Sequence, residues 1–168
     1  MKERNFYVIL SKKSVDKHTK LCKNIGMKKL IIVILGLLIG FVCFVQADYD
    51  QTIVATTLIL EAGGEYDEGS LEAVYEVIYN RAIKKNQSFS EVCLARKQFS
   101  CWNDKNIQET INKASNHPRW NEAMKIAYSD PKTNYTKGAD HYHADYVNPY
   151  WAKSLTKTVV IGRHIFYK

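Results

Sequence analysis

Glu61 has the strongest claim to chemistry in this chain. It closes the apolar run Leu58-Ile59-Leu60 and stands just before Gly63-Gly64. Apolar flanks desolvate a carboxyl, and the negative end of a helix dipole disfavours a further negative charge. Both effects favour the protonated form that a general acid needs near neutral pH. The two glycines leave room for a bulky polymer to approach. Read blandly, the same residue is a helix-end glutamate in a solvated salt bridge, and spacing alone does not displace that reading. Glu65, four residues on, has three openings: to pair with Arg81, to cap the next helix or to assist Glu61. Glu72 and Glu76 fall on the polar side of that helix and are expected to be solvated.

His141, His143 and His164 form a second group. A His-x-His pair on a strand turns both rings to one face, and a third histidine completes many zinc sites. No metalloprotease spacing accompanies them, so neither a metal nor another cofactor is expected. Hydrogen bonding in a substrate groove is the better reading, with Glu65, Gln98, His141, Tyr142 and His143 as the candidate contacts. Tyr142, Tyr146, Tyr150 and Trp151 make the segment strongly aromatic, which suits sugar rings as well as core packing. No serine or cysteine nucleophile motif is present.

The elements that must hold these residues follow from periodicity. Ile53, Val54, Thr57, Leu58 and Glu61 recur at helical spacing, with Gly63-Gly64 as a stop. Leu71, Val74, Tyr75, Ile78 and Ala82 share the face of a second helix, with Asp67 as its N-cap. From Cys93 to Asn116 the chain reads as loop-rich, with a helical turn near Ile107 to Ile111. Pro118 opens a third helix carrying Trp120, Ala123, Met124, Ala127 and Tyr128, and Asp130-Pro131 ends it. Residues 140–143, 158–161 and 165–167 favour extended structure. Helices first and short strands later predict an α+β domain.

The organisation of the chain bears on where it works. Leu30 to Gln46 carries no charge, follows Met27-Lys28-Lys29 and leads to Val45-Gln46-Ala47, the pattern of a signal peptide over residues 27–47. A short membrane anchor over 30–46 is the competing reading, although spanning takes roughly 17–25 apolar residues. Residues 1–26 are a basic extension, either an over-called reading frame or a long n-region. Residues 48–168 are then the catalytic domain, expected as a monomer exported to the periplasm or beyond. The net charge of +7 lies wholly in residues 1–47, with nine basic and two acidic side chains, whereas 48–168 holds fifteen of each sign. A neutral domain lacks the basic face that nucleic acid requires. In an exported domain the isolated pair Cys93 and Cys101 is expected to be a disulfide.

Residues 52–167 resemble the cell wall hydrolases named after the spore cortex-lytic enzyme SleB. The resemblance rests on Leu60-Glu61-Ala62-Gly63-Gly64-Glu65, on Glu72-Ala73-Val74 and on Val77-Ile78-Tyr79-Asn80-Arg81. It continues through Phe89, Val92-Cys93 and Gln98-Phe99-Ser100. It ends on Tyr142-His143, Asn148-Pro149-Tyr150-Trp151 and Ile161-Gly162-Arg163-His164-Ile165-Phe166-Tyr167. It implies a compact lysozyme-like fold, a groove for peptidoglycan strands and Glu61 as the catalytic residue. One departure stands out: the family commonly has arginine where this chain has Gly63.

The resemblance also implies lytic transglycosylase chemistry, because no second carboxylate suggests itself across the scissile bond. Three rivals are open. A water-using muramidase would draw on Glu65 or Asp67, a wall-binding module would not depend on Glu61, and a zinc amidase would use His141, His143 and His164.

Overall fold

The structure, a computed structural model, describes residues 29–42, 48–131 and 134–168. It divides into two units, Met1–Gln46 and Ala47–Lys168. In the first, residues 29–42 are helical with their apolar side chains exposed. Among the described residues no helix is long and apolar enough to cross a membrane, so the anchor reading finds no spanning helix there. Residues 1–28 and 43–47, which hold the N-terminal extension and the expected cleavage site, lie outside the described residues.

The second unit is α+β, mainly helical with a small C-terminal sheet, as the periodicity predicts. Helix α1 spans 48–62 and buries Ile53, Val54, Leu58, Ile59 and Ala62. Its buried threonines are satisfied within the helix: Thr56 Oγ1 donates to Thr52 O and Thr57 Oγ1 to Ile53 O, both at 2.8 Å. The amide of Gly63 closes the last turn on Ile59 O at 2.9 Å. A Cβ at Gly63 would strike that same carbonyl, so this backbone has no space for the arginine common in the resembling family.

Helix α2, Ser70–Lys85, is buried on two sides. Leu71, Val74, Tyr75, Ile78 and Ala82 join the α1 core, while Ala73 and Val77 meet Ala139 and Phe166 of the sheet layer. Two sequence expectations fail here. The N-cap is Gly69, not Asp67, because the chain enters in the left-handed region (φ 79°) and the Tyr135 ring lies where a Cβ would sit. Glu76 is buried, not solvated, because the helix has a second covered face.

One short helix just ahead of the loop-rich segment was not predicted, and the helical turn expected near Ile107 to Ile111 is a full helix. Helix α3, Phe89–Leu94, starts in a reciprocal capping box between Ser88 and Glu91. Helix α4, Ile107–Ser115, is capped by Asn106 and buries Thr110 and Ala114. Helix α5, Trp120–Ala127, begins after Pro118 and buries Ala123 and Ala127.

Strands β1 (His141–Ala144), β2 (Lys157–Ile161) and β3 (His164–Tyr167) form an antiparallel sheet in the order β1-β3-β2. Tyr142 pairs with Phe166 and Ala144 with His164. Alternation along a strand therefore puts Tyr142, His164 and Phe166 on one face, and His141, His143 and Tyr167 on the other.

Candidate active site

The site lies where the C-terminal end of α1 meets β1. Glu61 occupies the last turn of α1, half-buried, and its Oε2 accepts a 2.8 Å hydrogen bond from the Tyr142 hydroxyl. Burial comes first, then the Glu61 charge and this hydrogen bond, in pushing the Tyr142 phenol well above its ordinary value. The phenol is thus a permanent donor that fixes the rotation of the carboxyl.

Residues at the C-terminal end of α2 deliver Tyr142 to that position. Asn80 Nδ2 donates to Ala139 O at 2.8 Å and Arg81 Nε to Asp140 O at 2.7 Å, holding the backbone that leads into β1. Asp140 is itself gripped by Lys84 at 2.6 Å and His141 at 2.5 Å. Burial would push its carboxyl up, but these two partners outweigh burial and hold it below its ordinary value. The Arg81 guanidinium lies 5.2 Å from the Phe99 ring centroid, and its buried Nη1 has no hydrogen-bond partner among the described residues. Sequence reasoning gave Arg81 no role at the site. The pairing of Glu65 with Arg81 that the sequence left open does not form, since Glu65 turns to His164 and the Arg163 amide.

Two adjoining clefts open over this group. The first, about 460 Å³, is lined by Glu61, Arg81, Gln98, Tyr142, His143 and His164, among others. The second, about 420 Å³, shares Arg81, Lys97, Gln98 and Tyr142 with the first and continues to His141, Tyr150 and Trp151. The structure therefore brings Gln98, Tyr142 and His143 into the cleft of Glu61, and places His141 in the cleft beside it. The two histidines pack against Trp151, with ring centroids 5.3 and 5.6 Å away. His143 Nε2 also lies 3.0 Å from the Tyr167 hydroxyl. Glu65 is placed differently: its carboxylate turns to the β2–β3 hairpin, 3.4 Å from His164 Nδ1 and 3.4 Å from the Arg163 amide.

Replacing Tyr142 with Phe should remove one hydrogen bond to a charged group and lower kcat about tenfold, with little change in melting temperature. Steady-state kinetics on soluble glycan strands checks this.

Cys93 and Cys101 correct an expectation: both are free thiols, not a disulfide. Each is engaged with a side chain of α1, Cys93 with Thr57 and Cys101 with Glu61. Thr57 is fixed in turn by Trp102, whose Nε1 donates to its hydroxyl at 2.9 Å. Burial pushes the Cys93 thiol up to about 12, and burial with the Glu61 charge raises Cys101 too. Iodoacetamide at pH 8 should therefore leave both thiols largely unlabelled in the folded protein and alkylate them in guanidinium, as read by intact mass.

A cleft with one carboxyl, a phenol clamped on it and aromatic side chains beyond defines an acid-bearing site for an extended polar polymer. The chain matches the family model described as Cell Wall Hydrolase over residues 64–167. It belongs to the cell wall hydrolase family, whose enzymes cleave peptidoglycan. The matched stretch begins three residues after Glu61 and includes Tyr142, His143 and His164. Among solved structures, the catalytic domain of the Bacillus cereus SleB protein is similar at 26% identity. The match covers 71% of this chain and 89% of that one, with a TM-score of 0.49. No curated protein gives a significant match.

Proposed function

We propose that the domain cuts glycan strands between N-acetylmuramic acid and N-acetylglucosamine as a lytic transglycosylase. Glu61 donates its proton to the glycosidic oxygen as the bond to C1 breaks. The resulting carboxylate then takes the proton of the muramoyl C6 hydroxyl as that oxygen attacks C1. The product ends in a 1,6-anhydromuramoyl unit, and no water is consumed. One residue acting as acid and then base leaves the site as it began.

The reading is carried by one observation: among the described residues lining the two clefts, Glu61 is the one carboxylate. A hydrolase of the two-carboxylate kind needs a second within about 5–10 Å across the bond. Gln98, His141 and His143 are the proposed substrate contacts, and the exposed Tyr150 with Trp151 offers faces for sugar rings. Export under residues 27–47 would bring residues 48–168, working as a monomer, to the wall.

Mass spectrometry of digested sacculi tests the reaction. Anhydromuramoyl ends are expected. Reducing muramic ends would assign the step to water, and release of peptides alone would end the glycosidase reading.

A further inference from the structure

The second glutamate of the Glu61–Glu65 stretch does not face the cleft, yet it is held with unusual care. Its carboxylate lies against the β2–β3 turn, where Gly162 adopts φ 55° and a Cβ would collide with Glu65 Oε2. The Arg163 amide approaches the same oxygen at 3.4 Å. The backbone of Glu65 is pinned as well, its carbonyl accepting from Ser70 Oγ at 3.1 Å and from Arg119 Nη1. The other carboxylate oxygen, Oε1, lies 3.4 Å from Nδ1 of His164, and both side chains are nearly buried. His164 in turn presents its ring edge-on to Tyr142, centroids 4.9 Å apart at 79°. The strand register makes this contact unavoidable, since Tyr142 opposes Phe166 and His164 stands two residues before it on the same face. Tyr142 then donates to Glu61 Oε2.

We infer that Glu65 is a positioning residue that acts on Glu61 through His164 and Tyr142, and that it takes no part in the reaction as a second carboxylate. A carboxylate beside Nδ1 selects one tautomer and one ring orientation of a histidine. The oriented ring walls one side of Tyr142, whose phenol sets the direction of the Glu61 carboxyl. A misplaced catalytic group costs rate more than binding, because substrate affinity is spread over the whole groove. The inference rests on Glu61 being the catalytic acid.

A double-mutant cycle on the full-length protein tests it, with kcat and KM measured on soluble glycan strands. Glu65→Gln should lower kcat about tenfold at nearly constant KM, the size expected for a misaligned acid. In a Tyr142→Phe background the same change should cost less than twofold, because the intermediate link is already cut. Losses that multiply would overturn the inference, as would a wild-type kcat in Glu65→Gln. If Glu65→Gln does not fold, His164→Phe replaces it in the cycle, since it keeps a ring edge on Tyr142 and drops the Glu65 contact. If the wild-type protein itself leaves strands intact, the Glu61 reading falls and this inference falls with it. If strands are cleaved but the cycle is additive, this inference alone falls.

Discussion

Glu61→Gln should lower strand cleavage by about a thousandfold or more, while binding to sacculi stays within about twofold. Glutamine matches glutamate in shape and still accepts the Tyr142 hydrogen bond at the carbonyl, so the cleft should keep its form. What it lacks is an acidic proton near neutral pH. Positioned acid–base groups contribute roughly 10²–10⁴ in rate, and in the proposed reaction one residue serves both halves. A loss near the upper end is therefore expected. Turbidity loss of sacculi gives the rate, and co-sedimentation gives the binding. A variant that still cleaves at a tenth of the wild-type rate would remove Glu61 from the chemistry.

The second large effect concerns stability. Glu76→Ala should cost about 3 kcal/mol, the sum expected when several buried hydrogen bonds to a charged group are lost. The Glu76 carboxylate, 5% exposed, accepts from the Tyr135 amide, the Thr136 amide and Thr136 Oγ1, each at 2.8 Å. Alanine would leave two amides and a hydroxyl without this acceptor beside the small core of Val77 and Phe166. For a domain of this size the melting temperature should fall by about 10 °C. Glu76→Gln, which keeps one acceptor oxygen, should fall roughly half as far. Thermal unfolding followed by circular dichroism checks both. The expectation fails if alanine melts within about 2 °C of wild type, a shift within the range of ordinary surface substitutions.

Glu76 also shows where one-dimensional reading runs out. The spacing of Leu71, Val74, Tyr75, Ile78 and Ala82 correctly marks a helix and its face against α1. A helical wheel, however, assumes one covered face. Because Ala73 and Val77 are packed by β3 and Ala139, the side that looks polar is a second interior. The capping box at Ser88 and Glu91 starts a helix that apolar periodicity did not mark, because six residues are too few to show a helical repeat. The strands of the C-terminal region were legible from their β-branched and aromatic residues. Of the residues singled out for the site, Gln98, Tyr142 and His143 share a cleft with Glu61 and His141 lines the adjoining one, whereas Glu65 turns away. The contact between Glu61 and Tyr142 was not legible, because 81 residues separate them and only the tertiary fold joins them. The thiols were misread for a related reason. Their spacing permits a disulfide, and only the positions of Thr57 and Glu61 reveal that each sulfur has another partner.

That separation has a consequence for when the chain becomes dangerous. The proposed acid comes from the first helix of the domain, its clamp from a strand near the other end, and the arginine steadying that strand from a helix between them. No fragment made early carries a working blade. Each part must arrive and dock before any strand of wall is cut, so an incompletely folded chain is harmless to the cell that makes it. Assembly of the whole domain is itself the safety catch.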